Sequence, residues 1–454
     1  MKKQHISVAP FSFFAIIILL TSITSLARAE VTLLDKDEWK IGFSGFAEFD
    51  STTDNTRKLG EIEGNAPVAK RGSSDTESGR TQFSVRFSRL GFSIVPPVTS
   101  SGWKSKGILE FDFLTSSSVT TTSATEAAGF NNPGMRIRQF YFYTENNGLQ
   151  FMAGQAWSLF GWQPTYIMST ITVAPISGQL FERHARAGVL KTLALNDDNQ
   201  IQLAASLSRP AQRDGDLPNL DLGVRWSNSA RKSGYTGTYA DIKTQPMSIG
   251  ISSTTRQFKT PASTTAGDHL TAHTNGIALD GMIPIIASSD GKDSGNTLSL
   301  SGEFTTGKGY ADMLTGWTGG TASGTYGSAS NQDYLDSGFG AMNSVGNFEF
   351  FNIKTFNLQL QYTLPSDWQS LINVGYGKLT SGNAADFIGG TTAGPATLTS
   401  GGIYDKSESY FANILHDFTP QIRGGLEYSQ LNTHFLDDTN GTDKRLMISA
   451  WFRF

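Results

Sequence analysis

The sequence predicts an all-β fold, a transmembrane antiparallel β-barrel formed by residues 30–454 of the 454-residue chain. Three observations predict it. Residues 1–29 have the form of an export signal. The body alternates apolar and polar residues at period two. The last strand closes on Phe454.

The export signal is read first. Lys2 and Lys3 make a positive start, Phe11 to Leu20 an apolar run, and Ala27-Arg28-Ala29 a small-x-small cleavage site before Glu30. The run is shorter than the about 20 residues that cross a bilayer as a helix. The mature chain is therefore expected to carry no transmembrane helix. It holds 33 basic and 40 acidic side chains, a net charge of −7, which speaks against nucleic acid as a partner. The absence of cysteine excludes disulfides, thiol catalysis and Cys-ligated zinc. With 48 glycines, 30 phenylalanines and 17 % charged residues, the composition suits one large aromatic-rich β structure.

Strands are expected near 40–50, 80–94, 103–114, 135–144, 149–158, 184–194, 200–209 and 219–227. The second half follows near 247–258, 271–287, 296–307, 350–364, 367–379, 407–417, 421–434 and 445–454. That makes sixteen, or eighteen if Tyr235 to Lys243 adds a strand and parity is kept. In the last strand Leu446, Ile448, Ala450, Phe452 and Phe454 share one face, and Arg445, Ser449 and Arg453 the other. A soluble sandwich could carry such an edge strand. The signal, the missing cysteines and the terminal Phe454 favour a barrel with a lipid-facing outside and a watery inside, and Phe454 is read as the assembly signal. Short turns such as Asn146-Asn147-Gly148 alternate with long polar segments such as 309–347, the asymmetry between periplasmic turns and outer loops.

The third long segment, 160–182, is apolar for an exposed loop, with Phe160, Trp162, Tyr166, Ile167, Ile171 and Ile176. Apolar surface left in bulk water is a liability. The segment is expected to fold inward and narrow the lumen, with Trp162, Gln163, Tyr166 and Gln179 on the constriction. Packing on a neighbouring subunit is the alternative.

Arginines fall in the inward phase. Arg86, Arg136, Arg138, His184 and Arg186 are expected to line the pore, with Glu110 and Asp112 on the adjacent strand. Guanidinium groups hold carboxylates or phosphates through paired hydrogen bonds, so an unneutralised group of them favours anions. Bracing of the wall by Arg–acid pairs is the structural alternative. The mature histidines show no metal-ligand spacing, and no nucleophile motif is present, so neither a cofactor nor an enzyme is expected. A barrel hydrolase with Ser and His on its outer wall is the enzymatic alternative.

Four blocks in order carry a resemblance: Ser88-Arg89-Leu90-Gly91-Phe92, Leu109 to Phe113, Arg136 to Tyr141, and Ala153 to Ser158. Together they resemble the DcaP-like porins. The resemblance implies a homotrimeric sixteen-strand porin of the Gram-negative outer membrane, passing small, often anionic molecules through an arginine-lined eyelet. It also implies that Arg86, Arg89, Arg136 and Arg138 match the family's basic positions. Arg89 is out of phase with Arg86, so it needs a β-bulge to face inward. Members with an N-terminal coiled-coil extension differ from this chain, in which Glu30 to Phe46 leads almost directly into the first strand. The expected function is passive diffusion of small hydrophilic, anionic or neutral solutes, with outer-membrane lipid around the wall. The alternative is a surface barrel whose long loops bind a partner.

Overall fold

The computed structural model describes residues 30–56, 68, 70, 72, 76–115, 134–172, 176–210, 216–261, 269–314, 325–326, 335–336, 340–390 and 398–454. The export signal and most of the longest outer loop lie outside the described residues. The strands in order are β1 Val31–Lys36, β2 Trp39–Asp54, β3 Arg80–Ser84, β4 Arg89–Val95, β5 Lys104–Thr115, β6 Gly134–Asn146, β7 Leu149–Trp157 and β8 Arg183–Ala194. Next come β9 Asn199–Ser208, β10 Asn219–Gly234, β11 Thr244–Pro261, β12 His269–Ile286 and β13 Thr297–Lys308. Four short strands follow: β14 Thr325–Tyr326, β15 Leu335–Asp336, β16 Gly340–Met342 and β17 Phe348–Phe350. The series ends with β18 Asn352–Thr363, β19 Ser370–Ser381, β20 Tyr404–Asp417, β21 Ile422–Phe435 and β22 Asn440–Arg453.

Each wall strand pairs antiparallel with its sequence neighbour, and β22 returns to β2 from Phe46↔Arg453 to Asp54↔Arg445. With β3 and β4 counted as one interrupted strand, the ring has sixteen staves. Short turns and the C-terminus share one rim, which is the periplasmic rim in barrels of this kind. Period-two alternation makes the wall two-faced. Leu222, Val224, Phe304, Phe356, Leu360, Ile414, Leu426, Ile448 and Phe452 point outward and are exposed, as a lipid-facing belt requires. Ser299, Ser301, Glu303, Asn357, Gln359, Asn373, Asn413 and Glu427 point inward and are buried.

The structure resolves three points of the sequence expectation. The expected strand 80–94 is broken. Asp50↔Ser84 and Phe46↔Arg89 leave four residues, 85–88, opposite three on β2. The extra residue is a bulge, held by Glu48 N donating to Ser88 Oγ (2.9 Å). It turns Phe87 into the interior, where it is buried, although strict alternation from the exposed Phe83 and Val85 would put it on the lipid face. Second, the count is the expected sixteen and the eighteen-strand alternative is set aside, because β10 ends at Gly234, β11 begins at Thr244 and Tyr235 to Lys243 forms no strand. Third, a strand precedes the expected first one: β1 folds back on β2 through Asp37 and Glu38.

Candidate functional site in the barrel lumen

The segment between β7 and β8 turns into the barrel and runs along the inner wall. Gly161 N donates to Ser252 Oγ on β11 (2.8 Å) and Ser169 N to Gln359 Oε1 on β18 (2.6 Å). Ile171 N reaches Glu427 Oε2 on β21 (2.7 Å), Ser177 N reaches Ser409 Oγ on β20 (2.8 Å), and Leu180 N reaches Glu303 Oε1 on β13 (2.9 Å). The wall thus supplies acceptors for loop N–H groups that would otherwise be buried unpaired. Two wall carboxylates, Glu303 and Glu427, are occupied this way.

The expected constriction residues Trp162, Gln163, Tyr166 and Gln179 are all buried. Trp162 lies against bare backbone: a Cβ at Gly223 or Gly250 would come within 2.8 or 2.7 Å of its ring. Only glycine lets the indole approach that closely. Tyr166 shares a hydrogen bond with Ser248 (2.9 Å), and burial pushes its hydroxyl up to about 12. Gln163 and Gln179 serve the loop itself. Gln163 accepts from Glu182 N and donates to Phe160 O, while Gln179 donates to Tyr166 O. Phe160 and Leu180 join Tyr310, Met313, Phe351 and Phe387 in an apolar cluster that fastens the loop toward the outer rim.

The opposite wall, β4 to β8, carries the arginines. Arg136 grips Asp112 with two hydrogen bonds (2.9 and 2.6 Å). Arg138 bridges Glu110 (2.7 Å) and Asp112 (2.9 Å), and Arg89 lies 3.6 Å from Glu110. The bulge at 85–88 brings Arg89 to this cluster. Arg86 does not join it, since its guanidinium donates to Phe113 O and Thr115 O of the wall (both 3.1 Å). His184 is buried 3.4 Å from Glu182, and Arg186 makes a long contact of 3.4 Å to Ser206 Oγ. Arg186 also borders a cavity of about 160 Å³ with Trp162, Gln163, Thr165 and Arg225.

One cation of the cluster was not among the expected residues. Arg183, the first residue of β8, lies 4.7 Å from the Trp157 ring and 5.8 Å from Phe181. No acid lies within ion-pair distance of it among the described residues, and its charge is felt alongside Arg138, Arg136 and Arg89. A strand's first residue is not yet held to the pleat, so its phase is not readable from alternation. Other arginines of the inward phase brace the wall or its loops. Arg256 pairs with Asp312, Arg423 with Asp417 and Arg445 with Asp54, and all three are buried.

The lumen also holds a second insertion, the turn 235–243 from the periplasmic rim. Thr236 N donates to Gln361 Oε1 (2.8 Å), and Ser169 Oγ donates to Thr236 O (2.7 Å). Tyr239 stacks on Phe46, with ring centres 4.4 Å apart. The signal for it lay in the inward amides of β18 and β19. Gln359, Gln361 and Asn373 in a row suit a packed polar backbone better than open water. Phe454 exchanges both backbone hydrogen bonds with Gly45 (2.8 and 3.0 Å), and its ring stacks on Phe43. Among the described residues no group of three His, Asp or Glu side chains could hold a metal ion.

No protein-family model matches the chain, and no curated protein matches it. Among solved structures it is similar to the outer-membrane channel DcaP of Acinetobacter baumannii, with TM-score 0.62 and 16 % identity over 94 % of this chain and 100 % of that one. OmpF of Salmonella typhi aligns with TM-score 0.48 and 8 % identity over 93 % and 100 % of the two chains. OmpT of Vibrio cholerae aligns with TM-score 0.47 and 10 % identity over 93 % and 99 %. The closed wall, its apolar outer belt and the likeness to DcaP make this chain a sixteen-stranded porin-type barrel of the bacterial outer membrane.

Proposed function

We propose that the protein is a passive diffusion channel for small hydrophilic solutes with a preference for anions. One observation carries the reading. The inward acids Glu303 and Glu427 are bound to loop N–H groups, while the facing wall gathers Arg89, Arg136, Arg138 and Arg183, with Glu110 and Asp112 the acids at ion-pair distance among the described residues. The side of the lumen left to solutes is therefore net positive. In a narrow, poorly screened channel such a ring attracts carboxylates and phosphates and repels cations. Arg86 and His184 brace the wall on this reading, and Arg186 with Arg225 extends the positive side past the cavity. Trp162, Gln163, Tyr166 and Gln179 keep the loop rigid, so the aperture is fixed. Trimerisation through the outer wall accords with the porin architecture. The experiment is the reversal potential of the purified protein in a planar bilayer under a KCl gradient. Anion preference supports the reading, and cation preference overturns the role of the arginines.

A further inference from the structure

We propose that the turn 235–243 is the periplasmic half of the constriction, positioned by Arg423, and that its Tyr239 sets the packing of Arg89 at the aperture. This rests on the channel reading above. A plain hairpin link needs about two residues. Here nine separate β10 from β11, and they go inward. The pairing of the two strands slips between Asn228 and Lys232, and the stem then bends across the feet of β13 and β18. At Gly234 a Cβ would lie 2.4 Å from Thr363 Oγ1 and 2.9 Å from Thr297 Oγ1.

The tip reaches the far wall. Arg423 Nη1 donates to Thr238 O (2.6 Å) and Ala240 O (3.0 Å), while Asp417 holds the same guanidinium from the other side (2.6 and 2.8 Å). Tyr239 stacks on Phe46 and meets Trp451 edge-on at 6.3 Å. From β10 to β22, the turn therefore crosses the interior. In mid-lumen it meets the outer loop. Tyr235 Oη donates to Ile167 O (3.3 Å), Ser169 Oγ to Thr236 O (2.7 Å), and Thr238 Oγ1 to Thr170 O. Loop and turn form one hydrogen-bonded partition, entered from opposite rims.

The turn meets the arginine cluster at Arg89. The Arg89 guanidinium sits 4.8 Å from the Tyr239 ring and 5.3 Å from Phe46. A guanidinium stacked on aromatic faces keeps its charge while its plane is fixed. Tyr239 thus bounds the aperture and orients one of its cations. Arg423 acts through the turn and is a positioning residue.

The test compares wild type with a chain in which 236–241 are replaced by Asn-Gly, with Tyr239→Ala, and with Arg423→Ala and Arg423→Lys. Heat-modifiable migration first establishes that each barrel is closed. If the shortened chain fails to close, Tyr239→Ala carries the test. Single-channel conductance should rise roughly twofold or more in the shortened chain and in Arg423→Ala, because pore width sets the current. Arg423→Lys, which keeps the charge and an ammonium able to donate to the turn's carbonyls, should restore most of the wild-type value. Tyr239→Ala should raise conductance less and move the reversal potential toward zero. Closed barrels with wild-type conductance and wild-type reversal potential in the shortened chain and Tyr239→Ala would overturn the proposal alone. A wild-type barrel that passes no current would overturn the channel reading and this one with it.

Discussion

Replacing Asp112 by Asn should strengthen anion preference without opening the barrel. The carboxylate is buried between two guanidiniums, with Arg136 at 2.6 Å and Arg138 at 2.9 Å. The local cluster sets Arg89, Arg136, Arg138 and Arg183 against Glu110 and Asp112, a surplus of two positive charges that becomes three in the variant. One added unit charge about 7 Å from a passing monovalent ion is worth about 0.6 kcal/mol in water. Screening at ~0.1 M salt roughly halves that. An anion gains about 0.3 kcal/mol and a cation loses as much, so the anion-to-cation permeability ratio should rise roughly threefold. Stability should fall by about 2 kcal/mol, the range for a charged hydrogen bond weakened. The loss stays below that of a fully buried broken pair, because Arg136 is 36 % exposed and can take up water. Reversal potentials in a KCl gradient read the first number, and urea unfolding of the reconstituted barrel reads the second. Arg138→Ala should shift the reversal potential the opposite way. A closed Asp112→Asn barrel with an unchanged or cation-shifted reversal potential would refute the charge argument.

Phe454→Ala should lower outer-membrane levels more than shortening of segment 309–347, since it removes the Phe43 stack at the closing seam; equal levels on membrane blots would contradict this. Gly250→Val should cost about 1–3 kcal/mol by driving a side chain into Trp162. Gly281→Val, where the nearest atom to a Cβ is 3.6 Å away, should leave the unfolding midpoint nearly unchanged. Burial pushes both Tyr166 and Tyr235 up to about 12, against an ordinary value of about 10. Their neutral forms support the fold fully below pH about 10, and that support should be lost as pH rises toward about 12. Tyrosinate absorbance should show a late-titrating class that shrinks by two groups in Tyr166→Phe/Tyr235→Phe; a late class of unchanged size in that variant would count against the buried partition.

The wall was legible because its chemistry repeats every two residues. Leu298, Leu300 and Phe304 must face one medium and Ser299, Ser301 and Glu303 the other, whatever the rest of the chain does. Apolar residues in a segment expected to be a loop, Phe160, Trp162 and Tyr166, pointed to burial there, and these three are buried. What alternation does not carry is the fate of a side chain once it points inward. Arg136, Arg256 and Arg423 share a phase, yet one faces Asp112 at the arginine cluster, one holds Asp312 and one clamps a turn. Those outcomes depend on partners 24 to 185 residues away. The bulge at 85–88 was foreseeable only from the clash between the phases of Arg86 and Arg89, and the flip of Phe87 follows from it.

The small strand β1 bears on the order in which the barrel can close. The same edge of β2 is shared: Trp39 to Phe43 pair with β1, and Phe46 to Asp54 pair with β22. The first partner is a few residues upstream, and the second is about 400 residues downstream, at the end of the chain. A seam between the two ends of the chain carries the largest loop-closure entropy of any pairing in the ring, so it forms late. Until then β2 is an unpaired edge, the kind of surface that templates aggregation. A local hairpin with β1 needs no such wait. It covers the lower half of that edge and fixes the register of β2 beside the spot where Phe454 docks, so the final strand finds one end of its groove already built.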